Sequence, residues 1–160
     1  MFYTEKFLIN LLSKLDEDNN STIVELEDIL NYCNIFIIPC SKSLKKAKII
    51  KYLNSFCIVI DTDCPIFQYR ESLAHEISHV LLNHFSCKKS YDIKEDEANH
   101  LSLLLLMPTK KLEQELGQTH YYENIIVHLS LIFQVSHDFV IRRLELYKKN
   151  KSNNDLFLSN

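Results

Sequence analysis

Two histidines and a glutamate carry the chemistry that can be read most directly from this chain. They lie in Leu73-Ala74-His75-Glu76-Ile77-Ser78-His79-Val80-Leu81-Leu82. In a helix, residues four apart share a face, so His75 and His79 stand one turn apart with their imidazoles side by side. Two imidazoles so placed can share one metal ion, and Glu76 between them is close enough to take a proton from water at that metal. The spacing His-Glu-x-x-His is the two-histidine zinc motif of metal-dependent peptide hydrolysis.

The motif needs a helix, and the surrounding residues supply one. At ~100° per residue, with His75 as zero, His79 falls near 40° and Glu76 near 100°. Leu73, Ile77, Val80 and Leu81 fall between roughly 140° and 240°, an apolar arc that anchors the helix while the ligands face away. No Gly or Pro interrupts Ile66 to His84.

A catalytic zinc takes three protein ligands and keeps one position for water. The third ligand is sought in Lys94-Glu95-Asp96-Glu97-Ala98-Asn99. Glu95 and Asn99 share a helix face with Ser102 and Leu106, so Glu95 is the first choice. Glu97, on the opposite side with Leu101 and Leu104, is the alternative. Asn99, one turn after Glu95, is placed to orient a ligand by hydrogen bonding. His84 follows His79 without an intervening Gly, which excludes a compact third-histidine arrangement and reads as a helix-end residue. Two histidines and one carboxylate suit Zn²⁺, and also Mn²⁺ or Fe²⁺. A donor for the developing oxyanion is also required. Tyr69, Tyr91, His100 and His120 are the candidates.

The rest of the chain must hold these residues. At 160 residues it is long enough for one domain with a real core. The hydrophobic share of 46% and the charged share of 24% are those of a folded globular protein. A net charge of -3 gives no general attraction to nucleic acid or anionic membrane. The five cysteines form no Cys-x-x-Cys pair and are odd in number, which points to a reducing cytoplasm rather than a disulfide framework. No signal peptide or membrane span is expected.

Phe2 to Leu15 reads as an amphipathic helix, broken by Asp16 to Asn20. Ser21 or Thr22 is expected to cap a second helix carrying Val24, Leu26, Ile29 and Leu30, with Glu25 placed for a capping box. Ile35–Ile38, Lys48–Leu53 and Phe56–Ile60 read as strands of a small antiparallel sheet, the last two joined around Asn54-Ser55. After the motif helix come a polar loop at 86–94, a helix from about Glu95 to Leu106, and a short helix over Lys110–Leu116. Two more follow, over Glu123–Phe133 and His137–Tyr147, with Ser136 capping the second. The fold class is α+β and mainly helical. The organisation is a core with N-terminal helices over residues 1–117, a helical segment over 118–150 and a polar, fraying tail over 151–160.

Three ordered blocks make the reading specific. These are Arg70-Glu71-Ser72-Leu73-Ala74-His75-Glu76-Ile77-Ser78-His79, then Glu95-Asp96-Glu97-Ala98-Asn99, then Leu104-Leu105-Leu106-Met107-Pro108. Together they resemble the ImmA/IrrE metallopeptidases, and Val135-Ser136 to Arg143-Leu144 is similar to the helical segment that follows that core. The likeness spans roughly residues 20 to 147 in element order. Ser78 stands where the family usually has Gly, and Leu101-Ser102 replaces the usual Phe-Ala. The resemblance implies a zincin-like minimal core and a cytoplasmic zinc endopeptidase of a bacterial host. Its implied substrate is a helix-turn-helix repressor, cut to relieve repression of a phage, mobile element or stress regulon.

Two other classes compete with this reading. One is a zinc-binding module that silences a repressor by docking, which the presence of Glu76 beside all three ligands disfavours. The other is direct DNA binding by the 125–147 helix pair, where Arg142, Arg143, Lys148, Lys149 and Lys151 gather positive charge. Asp138 at the start of the second helix would repel phosphate, so a packing or substrate-gripping role is preferred there.

Overall fold

In a computed structural model of the chain, the described residues are 2–15, 23–41, 47–118 and 124–158. They form seven helices and three strands: α1 (Phe2–Leu15), α2 (Leu26–Tyr32), β1 (Ile35–Cys40), β2 (Lys48–Tyr52), β3 (Ser55–Asp61), α3 (Ile66–Leu81), α4 (Tyr91–Leu106), α5 (Thr109–Gly117), α6 (Ile125–Phe133) and α7 (His137–Leu158). The mainly helical α+β class is as expected, and the element order follows the sequence pattern.

The sheet departs from expectation. Its order is β1-β3-β2, with β2 antiparallel to β3 but β1 parallel to it. The sheet is therefore mixed, not antiparallel. Only β2 and β3 are joined by a tight turn, at Leu53-Asn54, where Leu53 takes a φ of 53°. The link from β1 to β2 covers residues 41–47. Seven residues reach up to about 23 Å, ample to pass one intervening strand, a distance of about 10 Å. β2 thus lands on the far side of β3, and β1 and β3 run the same way.

Ile58 and Ile60 of β3, fully buried, alternate with half-buried Cys57 and Val59 and face α3. The other face of the sheet leaves Phe36, Ile38, Ile50 and Tyr52 exposed. On the helix side, α3 buries Leu73, Ala74 and Ile77, and α4 is buried from Leu101 through Leu106. Such a helix, apolar on every side near its end, is enclosed by neighbours on all faces. Leu129, Phe133, Val135, Phe139 and Val140 from α6 and α7 complete the same core.

Several boundaries move. α2 starts at Leu26 with Glu25 as its N-cap residue, whose side chain makes no capping bond. The anticipated caps Ser21 and Thr22, and the break at Asp16 to Asn20, lie outside the described residues. α4 begins a turn early, at Tyr91, and shortens the loop before it. α7 runs on to Leu158 rather than ending at Tyr147. Ser136 caps it as expected, its hydroxyl accepting from the Phe139 amide at 3.3 Å.

Arg143, one of the residues that gather positive charge near the C-terminus, is turned inward. It is 1% exposed, its Nε donates to the Met107 carbonyl at 2.8 Å, and a terminal nitrogen donates to the Thr109 hydroxyl at 3.0 Å. Met107 ends α4, and Pro108 prevents continuation, so its carbonyl needs a donor from elsewhere. Arg143 supplies it and thereby ties α7 to the α4–α5 corner. Among the described residues, no single helix is long and apolar enough to cross a membrane. Arg143→Ala should lower stability by about 3 kcal/mol, because it leaves a buried carbonyl unpaired as well as a cavity. Urea unfolding monitored by circular dichroism measures this, and a change below about 1 kcal/mol would show that the contact is incidental.

Candidate metal centre

The site is built by α3 and α4 packing side by side. α3 contributes His75, Glu76 and His79, and α4 contributes Glu95. Nε2 of His75 and Nε2 of His79 are 3.1 Å apart. The Glu95 carboxylate presents one oxygen to each ring, Oε2 at 3.4 Å from His75 and Oε1 at 3.3 Å from His79. A tetrahedral zinc with bonds of about 2.05 Å spaces its ligand atoms about 3.3 Å apart. The two imidazole nitrogens stand close to that spacing, a carboxylate oxygen lies near each, and the set of two histidines and one carboxylate fits zinc.

Glu97, the alternative ligand, is turned elsewhere. Its Oε2 lies 3.1 Å from Nε2 of His84, and both its oxygens accept from Lys89 Nζ at 2.6 Å. Those two partners, Lys89 first, hold its carboxyl below the usual range. Asn99 is exposed on the cavity wall, where its carbonyl accepts from the Ser102 hydroxyl at 2.8 Å. The hydrogen-bond partner of the ligand His79 is instead His84, Nδ1 to Nδ1 at 2.9 Å.

The way His84 reaches that position is a property of the helix end. Asn83 takes a left-handed φ of 52°. The His84 amide then donates to the His79 carbonyl at 3.0 Å, and the Asn83 amide to the Val80 carbonyl at 2.9 Å. This is the Schellman closure, which brings the second residue past the cap back against the last turn of the helix. Asparagine tolerates the left-handed conformation, so Asn83 was the signal available in the sequence. Reading His84 as a helix-end residue was correct as far as it went, but it missed what such an end does to the side chain. His84 is 4% exposed.

His79 is nearly as enclosed. Burial, and then the neighbouring His75, lower its pKa from 6.5 to about 4, against the pull of Glu95. It is neutral at neutral pH, the form that binds metal. Ser78, where a glycine was anticipated, is also fully buried, and its hydroxyl donates to the Ala74 carbonyl one turn back at 2.7 Å. The departure is accommodated within the helix.

His75, Glu76, His79 and Glu95 open into one cavity of about 820 Å³, walled on one side by Lys48, Ile49 and Ile50 of β2 and on another by Phe139 and Arg142 of α7. Of the four oxyanion candidates, Tyr91 lines this cavity. Tyr69 and His100 do not line it; Tyr69 packs on the core, where burial and then Glu27 raise its phenol. His120 lies outside the described residues. Arg142, exposed and stacked over the Phe139 ring at 5.4 Å, is a cavity cation that the sequence reading assigned to a different surface.

The family model described as the IrrE N-terminal-like domain, Peptidase_M78, matches residues 31–145. The chain belongs to this family. The match runs from the end of α2 into α7, so it includes the sheet, the motif helix and Glu95. The M78 fold is that of a zinc metallopeptidase, and the family is zinc-dependent in general. A search among curated proteins finds no match to this chain.

Two expectations follow for this M78 member. The purified protein should bind one zinc ion per chain, and Glu95→Ala should weaken binding by more than about 100-fold, since losing a ligand costs more than losing a ligand's partner. Chelator competition measures both; equal affinity in the variant would remove Glu95 from the centre. The second concerns acid. The unfolded chain takes up a proton at His79 below about 6.5, but the folded, metal-free chain does so only near 4. Stability from this residue is therefore full above 6.5 and lost as the pH falls towards 4. Thermal melts of metal-free wild type and His79→Gln over that range should show a steeper decline for wild type, and parallel curves would refute the assignment.

Proposed function

We propose that the protein is a zinc-dependent endopeptidase that cuts a helix-turn-helix transcriptional repressor and so relieves repression. One observation carries the peptidase reading: His75, His79 and Glu95 bring one donor atom each to within 4.8 Å of one another, and the buried carboxylate Glu76 lines the same cavity from the position next to His75. Zinc held by His75, His79 and Glu95 supplies Lewis acidity, which acidifies water and polarises a carbonyl. Mn²⁺ or Fe²⁺ would suit the same donors.

Glu76 is the general base. Its carboxylate takes a proton from the attacking water as the carbon–oxygen bond forms, and delivers that proton to the amine as the carbon–nitrogen bond breaks. Burial raises the worth of this carboxylate, because fixed charges act more strongly where water is scarce. Tyr91, Lys48, Lys94 and Arg142, which line the cavity, are the candidates for steadying negative charge at the substrate carbonyl or gripping the peptide. The cavity is large enough for a stretch of extended polypeptide rather than a single amino acid.

The repressor as substrate is supported by the family resemblance of the three motif blocks and of the α6–α7 segment. The setting that accompanies it is the cytoplasm of a bacterial host, in a phage, mobile-element or stress regulon. A role for α6–α7 in packing and substrate contact is supported by Arg143, whose guanidinium is spent inside the protein, and by Phe139 and Arg142 on the cavity wall.

Co-expression with the helix-turn-helix repressor encoded nearest to this chain tests the proposal. Wild type should shorten the repressor on a gel. Glu76→Gln should leave it intact, with activity down by at least about 10²- to 10⁴-fold and zinc content unchanged. Cleavage retained by Glu76→Gln would sink the role of Glu76. An intact repressor with both proteins, zinc bound in each, would favour a docking module.

A further inference from the structure

The hydrogen bonds of His79 continue beyond the metal centre. Nε2 of His79 faces His75 and Glu95, so its lone pair belongs to the metal. A neutral imidazole then carries its proton on Nδ1. The partner of that nitrogen is Nδ1 of His84, at 2.9 Å, which must accept. His84 in turn keeps its own proton on Nε2, 3.1 Å from Glu97 Oε2. Glu97 can only accept, and Lys89 at 2.6 Å on both oxygens balances its charge. Each nitrogen in the chain is left with one role.

We infer that His84 and Glu97 are positioning residues for the metal centre, a two-step relay in which one carboxylate fixes the tautomers of both imidazoles and aims His79 Nε2 at the metal. The inference rests on the metal reading of His75, His79 and Glu95. Metal-binding histidines ordinarily give their second N–H to a carboxylate, a carbonyl or water, and that partner sets ring orientation and basicity. Here the carboxylate is one imidazole removed.

The backbone explains the extra ring. Glu97 follows Glu95 by two residues, about 200° round α4, so it cannot sit on the face that meets α3. His84 spans the gap, brought back against the last turn of α3 by the left-handed Asn83. Its position is fixed from a second side as well, since Lys94 Nζ donates to the His84 carbonyl at 2.6 Å. Without Glu97, nothing in this chain of contacts prevents His84 from placing a proton on Nδ1. His79 would then have to accept there and carry its own proton on Nε2, where the metal belongs.

The test uses full-length protein, zinc alone as the probe, and two variants. His84→Phe keeps a ring in the buried site but has no acceptor. Glu97→Gln changes a half-exposed residue with little change of shape. Zinc affinity by chelator competition should fall about 10- to 100-fold in His84→Phe, and by a smaller factor in Glu97→Gln. Nitrogen-15 NMR of the zinc-loaded wild type should show His79 protonated on Nδ1 and His84 on Nε2, with the His84 assignment lost or mixed in Glu97→Gln. If His84→Phe fails to fold, Glu97→Gln and the wild-type spectrum still decide. Unchanged zinc affinity in folded variants, or a proton on Nδ1 of His84 in the wild type, overturns the relay and leaves the metal centre standing. No zinc bound by the wild type overturns both.

Discussion

Three polar donors from two helices must meet within about 3.3 Å of one another if one ion is to hold them, and the rest of this fold serves that convergence. Without the ion, two imidazoles and a carboxylate gathered between helices give up water for partial compensation. The opposing weight comes from the apolar side of α3 and from α4, which is buried from Leu101 to Leu106. Ala74 of α3 and Ala98 of α4 are both fully buried. The sheet then closes α3 from behind through Ile58 and Ile60.

The C-terminal helices are part of this arrangement. Glu71, one turn before His75 on α3, accepts from the Ser136 amide at 2.6 Å. A carboxylate at a helix N-terminus meets unpaired amides and the positive end of the helix dipole. Arg143 fastens the same helix to the end of α4. α7 is therefore attached to both helices that carry ligands, and its Phe139 and Arg142 become cavity wall. The two arginines of the C-terminal charge run are divided: Arg143 points inward and Arg142 lines the cavity.

What was legible in the sequence was whatever is local. The helix of His75 and His79 follows from apolar spacing over a few turns, and the choice of Glu95 over Glu97 follows from the face each takes on α4. Strand existence was legible; strand direction was not, because it depends on β3 lying between β1 and β2, an order that no local pattern encodes. Asn99 was singled out by its spacing from Glu95; the partner of His79 comes from the turn after α3. That contact depends on a backbone reversal rather than on helical periodicity. The burial of Arg143 was not legible, because it depends on a carbonyl 36 residues away in sequence.

The left-handed torsion at Asn83 gives that exposed residue influence out of proportion to its contacts. A φ of 52° favours glycine, asparagine and aspartate, is also taken here by Leu53 and Gln134, and is strained for β-branched side chains. Backbone sterics thus weigh against β-branched residues at position 83, although its side chain has no part in the chemistry. Drift at this site towards valine or isoleucine would unwind the reversal and carry His84 away from His79. The coordination sphere would be altered by a residue that never meets the ion, through a rotation about one bond.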